Sequence, residues 1–334
     1  MMNGYERYIG VIRGQPADYL PRIPILMQYA AEYIGSDYAA FASNYQVLVK
    51  ANEQCVKDFG IDQLSSISDS YREAQGFGST VKYIKDGPPH STHPLQDSKD
   101  LSTLLKPDPM MSERMLDRVK AIEAYKEDFQ GEYSILGWIE GPAAEAADLR
   151  GVTTFMIDLM KDEVFASELM DLCVEVGISF AQTQVHAGAD TIGIGDAVAS
   201  LVSPHTYKKL IQPREKQLVR AIQDMGAHVK LHICGNITHL LPGIADLGID
   251  LLDVDHMVKM STVRDTVGHR VTIAGNIDPV AVVRNGTPTA IKNAILSAYE
   301  EVGNPHMVNA GCEIPSGTPI ENLRALCEPV PYEP

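Results

Sequence analysis

Three residues of this 334-residue sequence have the types and the spacing of a metal-binding set. His232 and Cys234 are two positions apart in the apolar run VKLHIC, so in a β-strand their side chains would point to the same side. Cys312 ends a later run of the same kind, MVNAGC. If both runs are strands of one closed barrel, the three side chains can meet. One imidazole and two thiolates form a ligand set for zinc.

Three protein ligands leave the fourth tetrahedral position of zinc open, which is typical of catalytic sites. The two positive charges of zinc and the two negative charges of the thiolates sum to zero. A substrate thiol in the fourth position would lose its proton and stay electron-rich, which suits alkylation of that thiolate better than activation of water. The remaining cysteines lie in apolar helical patterns and are expected to be core residues: Cys55, Cys173 and Cys327.

Other polar side chains stand at or near the ends of further apolar runs. We expect two of them to be catalytic, Asp69 and Asp196, and three to bind substrate, Glu140, Asn276 and His256. The alternative for Asp69 and Asp196 is that each caps the helix that follows. Asp196 ends the segment GIGD, whose glycines indicate that another group approaches this strand closely.

Eight short apolar runs, bounded by Gly, Asp or Asn, would position these residues. They cover residues 23–28, 64–69, 134–140, 191–196, 229–234, 251–256, 271–276 and 307–312, and segments of helical periodicity, such as 165–180 and 291–302, lie between them. This alternation predicts a (β/α)₈ barrel, whose chemistry lies at the carboxyl ends of its strands. A doubly wound sheet usually has a Gly-rich turn after its first strand, and IPILMQYAAEYIG has none. We expect one domain over residues 1–334, with an N-terminal helical and hairpin elaboration over about 1–130.

Composition excludes several classes of protein. The chain is 45% hydrophobic and 22% charged, which is typical of a soluble globular protein. Its formal charge of −16 argues against nucleic-acid and anionic-membrane partners, which need clustered Lys and Arg. No run of 18 apolar residues occurs, and five cysteines fit a reducing compartment. We therefore expect a cytoplasmic protein.

Four segments around these residues resemble the uroporphyrinogen decarboxylase superfamily. Within it, they resemble the zinc-dependent methylcobamide:coenzyme M methyltransferases and related corrinoid-dependent enzymes. The segments are LHICGN at 231–236, DLLDVDH at 250–256, AGNIDP at 274–279 and GCEIP at 311–315. The resemblance is dense from about residue 133 to the end of the sequence.

The resemblance implies a (β/α)₈ barrel and zinc held by His232, Cys234 and Cys312. In that family zinc activates a substrate thiol, which takes a methyl group from the methyl-cobalt(III) of a corrinoid protein. Asp69 stands where the decarboxylases keep their catalytic aspartate. The sequence lacks the D-x-H-x-x-G signature by which corrinoid proteins ligate cobalt. The methylcobamide is therefore expected to arrive on a separate protein or free.

The sequence departs from the decarboxylases in one respect. Those enzymes follow the first strand with an Arg-rich segment that clamps the carboxylates of the porphyrinogen. Here no Arg occurs between Arg22 and Arg72, so a polycarboxylate would lack its cationic partners. The acidic residues Glu32, Glu140 and Glu145 instead leave room for a cationic or neutral methylated substrate.

Our leading hypothesis is a zinc-dependent methyltransferase that moves a methyl group between a methylated corrinoid and a zinc-activated thiol or related small substrate. One alternative is a metal-free decarboxylase. Another is a zinc- or cobamide-binding accessory protein without turnover, in which Glu313 or Asp255 would fill the fourth zinc position. Homodimerisation is left open.

Overall fold

The computed structural model describes residues 2–333, which contain nine β-strands and fifteen α-helices. The strands are β1 (Gln63–Ser65), β2 (Val81–Ile84), β3 (Gly87–Ser91), β4 (Ser134–Glu140), β5 (Thr191–Gly195), β6 (His228–Ile233), β7 (Leu251–Val254), β8 (Thr272–Gly275) and β9 (His306–Met307).

The helices surround these strands. They are α1 (Gly4–Ile12), α2 (Gln28–Tyr33), α3 (Tyr38–Ser43), α4 (Tyr45–Phe59), α5 (Arg72–Gly76), α6 (Glu113–Phe129), α7 (Pro142–Arg150), α8 (Val152–Lys161), α9 (Glu163–Ala187), α10 (Pro204–Thr206), α11 (Gln212–Asp224), α12 (Leu241–Ala245), α13 (Met260–Val267), α14 (Pro288–Val302) and α15 (Ile320–Leu326). Shorter 3₁₀ turns cover Leu101–Thr103 and Ala197–Leu201, and π-helical turns cover Tyr207–Ile211 and Pro279–Arg284.

Seven strands form one parallel sheet in the order β1-β4-β5-β6-β7-β8-β9. An extended segment, residues 21–25, lies between the two edges of this sheet. The N–H of Val308 donates to the carbonyl of Pro21 (2.7 Å), and the N–H of Asp62 donates to the carbonyl of Arg22 (2.9 Å). The segment therefore bonds to both edges and closes the barrel. This confirms the predicted (β/α)₈ fold.

The first and last predicted strands differ from expectation. Residues 23–28 do not form a regular strand, because Pro24 has no N–H to donate and α2 already begins at Gln28. The last strand ends at Met307, so Cys312 lies in a loop rather than at a strand end. In that loop a Cβ at Gly311 would lie 2.4 Å from the backbone nitrogen of His256, so the glycine permits a close backbone approach.

Burial explains the sequence pattern of the barrel. Strand β4 is buried along nearly its whole length, as expected when helices cover both sides of a parallel sheet. The two predicted helical segments are confirmed as α9 and α14. The cysteines expected in the core are buried. Among residues 2–333 no helix has the length and apolarity needed to cross a membrane.

Candidate active site

The three candidate metal ligands meet at the carboxyl end of the barrel. His232 is the fifth residue of β6, Cys234 follows the end of that strand, and Cys312 lies in the loop after β9. Their ligand atoms lie within 4.8 Å of one another. His232 Nε2 is 3.0 Å from Cys234 Sγ, and the two sulfurs are 3.7 Å apart. The convergence predicted from spacing is therefore present in the fold.

The spacing of the two sulfurs fits zinc. A disulfide would place them about 2.05 Å apart. Tetrahedral zinc with bonds of about 2.3 Å to each sulfur would place them about 3.8 Å apart. No aspartate or glutamate of the described residues joins the three ligand atoms. Asp255 instead accepts the N–H of Gly235 (2.8 Å), so it is not placed as a fourth ligand.

The two thiols also interact with each other. The hydrogen bond from the Cys234 thiol lowers the pKa of Cys312, and the same hydrogen bond raises the pKa of Cys234. One thiolate of the pair is therefore favoured before any metal binds. Because the thiolate is the form that ligates metals, the pair is chemically suited to that role.

His232 is supported from behind by a buried charge pair. Its Nδ1 lies 3.6 Å from Asp253 Oδ2, and Lys230 Nζ lies 2.8 Å from the same oxygen. Asn309 donates to the other oxygen of Asp253 (2.8 Å), and both Lys230 and Asp253 are completely buried. Metal-binding histidines commonly direct their second nitrogen at a carboxylate in this way. Sequence reasoning missed this pair, although a lysine inside an apolar strand was an available signal.

A cavity of about 190 Å³ opens next to the three ligand residues. Its apolar walls include Ile25, Met27, Ile67 and Trp138. The charged side chains that line it are acidic: Asp69, Glu140 and Glu313. No Lys or Arg of the described chain lines it. A small molecule in this cavity would meet the three candidate metal ligands, an aromatic wall and acidic side chains.

Asp69 is held ionised by an arginine. Arg114 donates to both carboxylate oxygens of Asp69, at 2.7 and 2.5 Å, and Ser68 Oγ also donates to Oδ2 (2.8 Å). Burial opposes ionisation, but the charge and hydrogen bonds of Arg114 hold the pKa of Asp69 well below its usual range. The carboxylate lines the cavity with its charge already compensated.

The negative charge of Glu140 is less well compensated than that of Asp69. Its Oε1 accepts from Arg72 Nη2 (2.6 Å) and from Trp138 Nε1 (3.2 Å). Arg72 is fully buried and also pairs with Glu73, so one guanidinium serves two carboxylates. Burial raises the pKa of Glu140, with Arg72 opposing this shift and Glu73 adding to it.

Three sequence-predicted site residues lie outside this cavity. Asp196 is fully buried, and its Oδ1 accepts the N–H of Ala144 (2.7 Å) at the start of α7. It therefore caps α7 rather than the helix that follows it and does not line the cavity, and its catalytic role stays a prediction. Asn276 donates to the carbonyl of Val258 (2.6 Å), and His256 lies 2.8 Å from an oxygen of Asp255. Both line a second, more open cavity instead.

Two other acidic residues are also placed elsewhere. Glu32 accepts from Ser316 (2.6 Å) and from Gln28 (2.9 Å) outside the cavity. Glu145 is buried within α7 and does not line the cavity. Of the glutamates proposed from sequence for a cationic substrate, Glu140 is the one that reaches the site, and Glu313 joins it.

Comparison with known proteins places this barrel in a family. The model of the Uroporphyrinogen decarboxylase (URO-D) family matches residues 3–331, and the chain belongs to that family.

Within the family, the chain is similar to methyltransferases at 25–30% identity, and proteins named "Uroporphyrinogen decarboxylase" match it at 23–25%. A "Methylcobamide:CoM methyltransferase MtbA" of Methanosarcina acetivorans is 30% identical over 97% of this chain and 96% of its own length. The protein of the same name from Methanosarcina mazei is 29% identical over 97% and 96%. A solved structure described as "methyltransferase from Methanosarcina mazei" has a TM-score of 0.89 and 25% identity, covering 98% of this chain and 97% of its own. The resemblance found in the sequence is confirmed.

Proposed function

We propose that this chain is a zinc-dependent methyltransferase. It moves a methyl group between a methylated corrinoid, carried on a separate protein, and a small thiol bound at His232, Cys234 and Cys312. One observation carries the proposal: the three ligand atoms converge beside a small cavity, and no described aspartate or glutamate joins them. The names of the similar proteins agree with this chemistry.

The roles of the residues follow from their positions. A bound zinc ion would act as a Lewis acid that lowers the pKa of the substrate thiol. His232, Cys234 and Cys312 would hold it, and apolar side chains of the cavity wall would lie beside the sulfur. In the transfer a carbon–sulfur bond forms and the cobalt–carbon bond breaks. Its electron pair stays on cobalt, and the thiol proton leaves to solvent.

The two aspartates proposed as catalytic receive different roles. Asp69 lines the cavity, and its charge is compensated by Arg114. We therefore assign it a role in shaping the cavity around the substrate rather than in proton transfer. Asp196 acts through α7, whose first N–H groups it caps.

The test is the metal content of the protein purified without chelator, together with methyl transfer from methylcobalamin to thiols. We expect about one zinc per chain. Cys312→Ala should lose the zinc and the transfer together, because two ligands bind zinc far more weakly than three. Cys173→Ala removes a cysteine buried on α9 and should keep both. Zinc retained in the Cys312 variant, or transfer by a zinc-free protein, would contradict the proposal.

The two alternatives find less support in the site. A porphyrinogen decarboxylase would need cations for its carboxylates, and the described residues lining the cavity include none. An accessory protein with a closed zinc site would need a fourth protein ligand. Neither Asp255 nor Glu313 joins the three ligand atoms.

A further inference from the structure

Acidic side chains line the cavity, whereas the basic side chains near it lie behind them. Three carboxylates line it, from Asp69, Glu140 and Glu313. The nearest guanidinium groups, of Arg72 and Arg114, lie behind the first two carboxylates and are 0% and 3% exposed. Each already pairs with a carboxylate, so neither is free to receive an anion from the cavity.

Two of these carboxylates keep an oxygen free. Glu140 receives both of its hydrogen bonds on Oε1, and no donor among residues 2–333 reaches its Oε2. Glu313 accepts the N–H of Gln28 on Oε1 (3.0 Å) and pairs with no Lys or Arg among the described residues. Burial raises the pKa of Glu313 to about 7 and also raises that of Glu140, so a cation in the cavity would favour the ionised form of both. Two of the residues lining the cavity therefore have an acceptor oxygen without a donor among the described residues.

An aromatic wall stands beside them. The indole of Trp138 lies over β5, where Gly193 and Gly195 leave room for it. A Cβ at Gly193 would come within 2.2 Å of the ring, and a Cβ at Gly195 within 2.9 Å. Trp138 also donates to Glu140 (3.2 Å), so the ring is fixed beside the carboxylate. An aromatic face next to carboxylates is favourable for a cation and unfavourable for an anion.

We propose that the thiol substrate of this site carries an ammonium group at the end remote from its sulfur, bound between Glu140, Glu313 and the ring of Trp138. This inference rests on the proposed function and adds the class of thiol. It also separates this chain from the substrate in its relatives' names, because coenzyme M is 2-mercaptoethanesulfonate, an anion. A sulfonate entering this cavity would face two carboxylates and would find no free cation in the described part of the chain.

The experiment compares three thiols of the same length on the zinc-loaded protein. They are 2-aminoethanethiol, 2-mercaptoethanol and 2-mercaptoethanesulfonate, with methylcobalamin as methyl donor and rates referred to equal thiolate concentration. We expect kcat/KM to fall in that order, with the aminothiol at least about tenfold above the sulfonate. A second readout does not need turnover. Trp138 is the only tryptophan of the sequence, so its fluorescence reports thiol binding in the absence of corrinoid.

Variants connect the preference to the two carboxylates. In Glu313→Gln the amide oxygen can still accept from Gln28, but the charge is gone. We expect the binding ratio of aminothiol to sulfonate to fall about tenfold. Glu140→Gln is the second test and should shift the ratio in the same direction. Glu321→Gln changes an exposed glutamate of α15 and should leave the ratio as it is.

The outcomes separate the two levels of the proposal. A sulfonate that binds and reacts as well as the aminothiol would overturn the ammonium assignment and leave the methyltransferase proposal intact. The same holds if both glutamate variants keep the wild-type ratio. Methylation of none of the three thiols would contradict the proposed function, and the fluorescence titration would still decide the charge preference.

Discussion

At the scale of single residues, His232 has a thiol on one side of its ring and a buried carboxylate on the other. Its Nε2 faces Cys234, and its Nδ1 faces Asp253, whose charge is matched by Lys230. The register of the sheet sets this arrangement, because His232 on β6 stands directly beside Asp253 on β7. A buried lysine and a buried aspartate are retained only as a pair, since either charge alone would be strongly destabilising.

Asp253→Asn tests the support behind His232. The variant removes the carboxylate that orients the ring and leaves the Lys230 ammonium buried without a counter-charge. We expect zinc affinity to fall about 10–100-fold and the metal-free protein to lose about 3 kcal/mol of stability. Competition with a chelator and denaturant unfolding measure the two effects. Asp224→Asn, an exposed position at the end of α11, is the control. Unchanged zinc affinity in the Asp253 variant would refute the assigned role.

At the scale of elements, strand β5 shapes the cavity because two of its residues are glycines. Its glycines stand beside β4, with Gly193 paired to Trp138 and Gly195 to Glu140. The absence of side chains at these two positions lets the indole lie across the strand. The glycine-rich signal read from the sequence is thus explained by a neighbouring tryptophan.

Gly193→Ala should displace Trp138. The added methyl group would lie 2.2 Å from the ring, which forces the indole to move. We expect a loss of about 1–3 kcal/mol of stability and a shift in the emission of the single tryptophan. Gly10→Ala is the matched control, because the nearest atom to its new Cβ is 3.6 Å away and the residue lies within α1. An unchanged emission spectrum in the Gly193 variant would contradict this account of the wall.

Helix α7 contains a buried glutamate, Glu145, whose carboxyl group has no hydrogen-bond partner among the described residues. Glu145 is 2% exposed, and no described residue donates to either of its oxygens. Burial raises its pKa well above the usual value, and Glu73 and Asp148 add to the shift. The folded protein therefore keeps this proton at pH values where the unfolded chain has lost it.

This shift predicts a pH dependence of stability. A carboxyl whose pKa is raised by folding stabilises the native state fully below its unfolded pKa and loses that contribution as pH rises toward the folded pKa. We expect the free energy of unfolding to fall with rising pH above the usual range of a glutamate. Glu145→Gln should reduce this slope by up to about 1.4 kcal/mol per pH unit. Urea unfolding at several pH values measures it, with the exposed Glu168→Gln as control. Equal slopes in the wild type and the Glu145 variant would disprove the assignment.

At the scale of the whole molecule, one apolar cluster connects both ends of the chain. It contains Leu20 and Phe41 from the N-terminal region, Ile139 and Ile194 from the barrel strands, and Leu326 from the last helix. The N-terminal helices and the barrel thus share a core. We propose that the chain forms a single domain.

A single domain should unfold as one unit. We expect the emission of Trp138, which reports the barrel, and the far-ultraviolet circular dichroism, which reports all helices, to change at the same denaturant concentration. The circular dichroism signal includes helices α1–α4 of the N-terminal region. Two separated transitions, or a stable proteolytic fragment that begins near residue 130, would show that the N-terminal part folds independently.

The sequence by itself determined the barrel and two of the three candidate ligands that converge in it. Burial on both sides of a parallel strand requires continuous apolar runs, so their rhythm along the chain could be recognised without coordinates. His232 and Cys234 are close in sequence, and their spacing on a strand brought them together by local geometry alone. Only Cys312 depended on closure of the barrel.

The tertiary structure decided which polar residues belong to the site. Asp196 and Asp253 both stand at or near strand ends, yet one caps a helix and the other supports His232. Asn276, just after β8, donates to the carbonyl of Val258, and His256, just after β7, contacts Asp255. The direction of a side chain beyond a strand depends on loop conformation and on neighbours distant in sequence. The acidic character of the cavity has the same origin, because it required β4 and the loop after β9 to face each other.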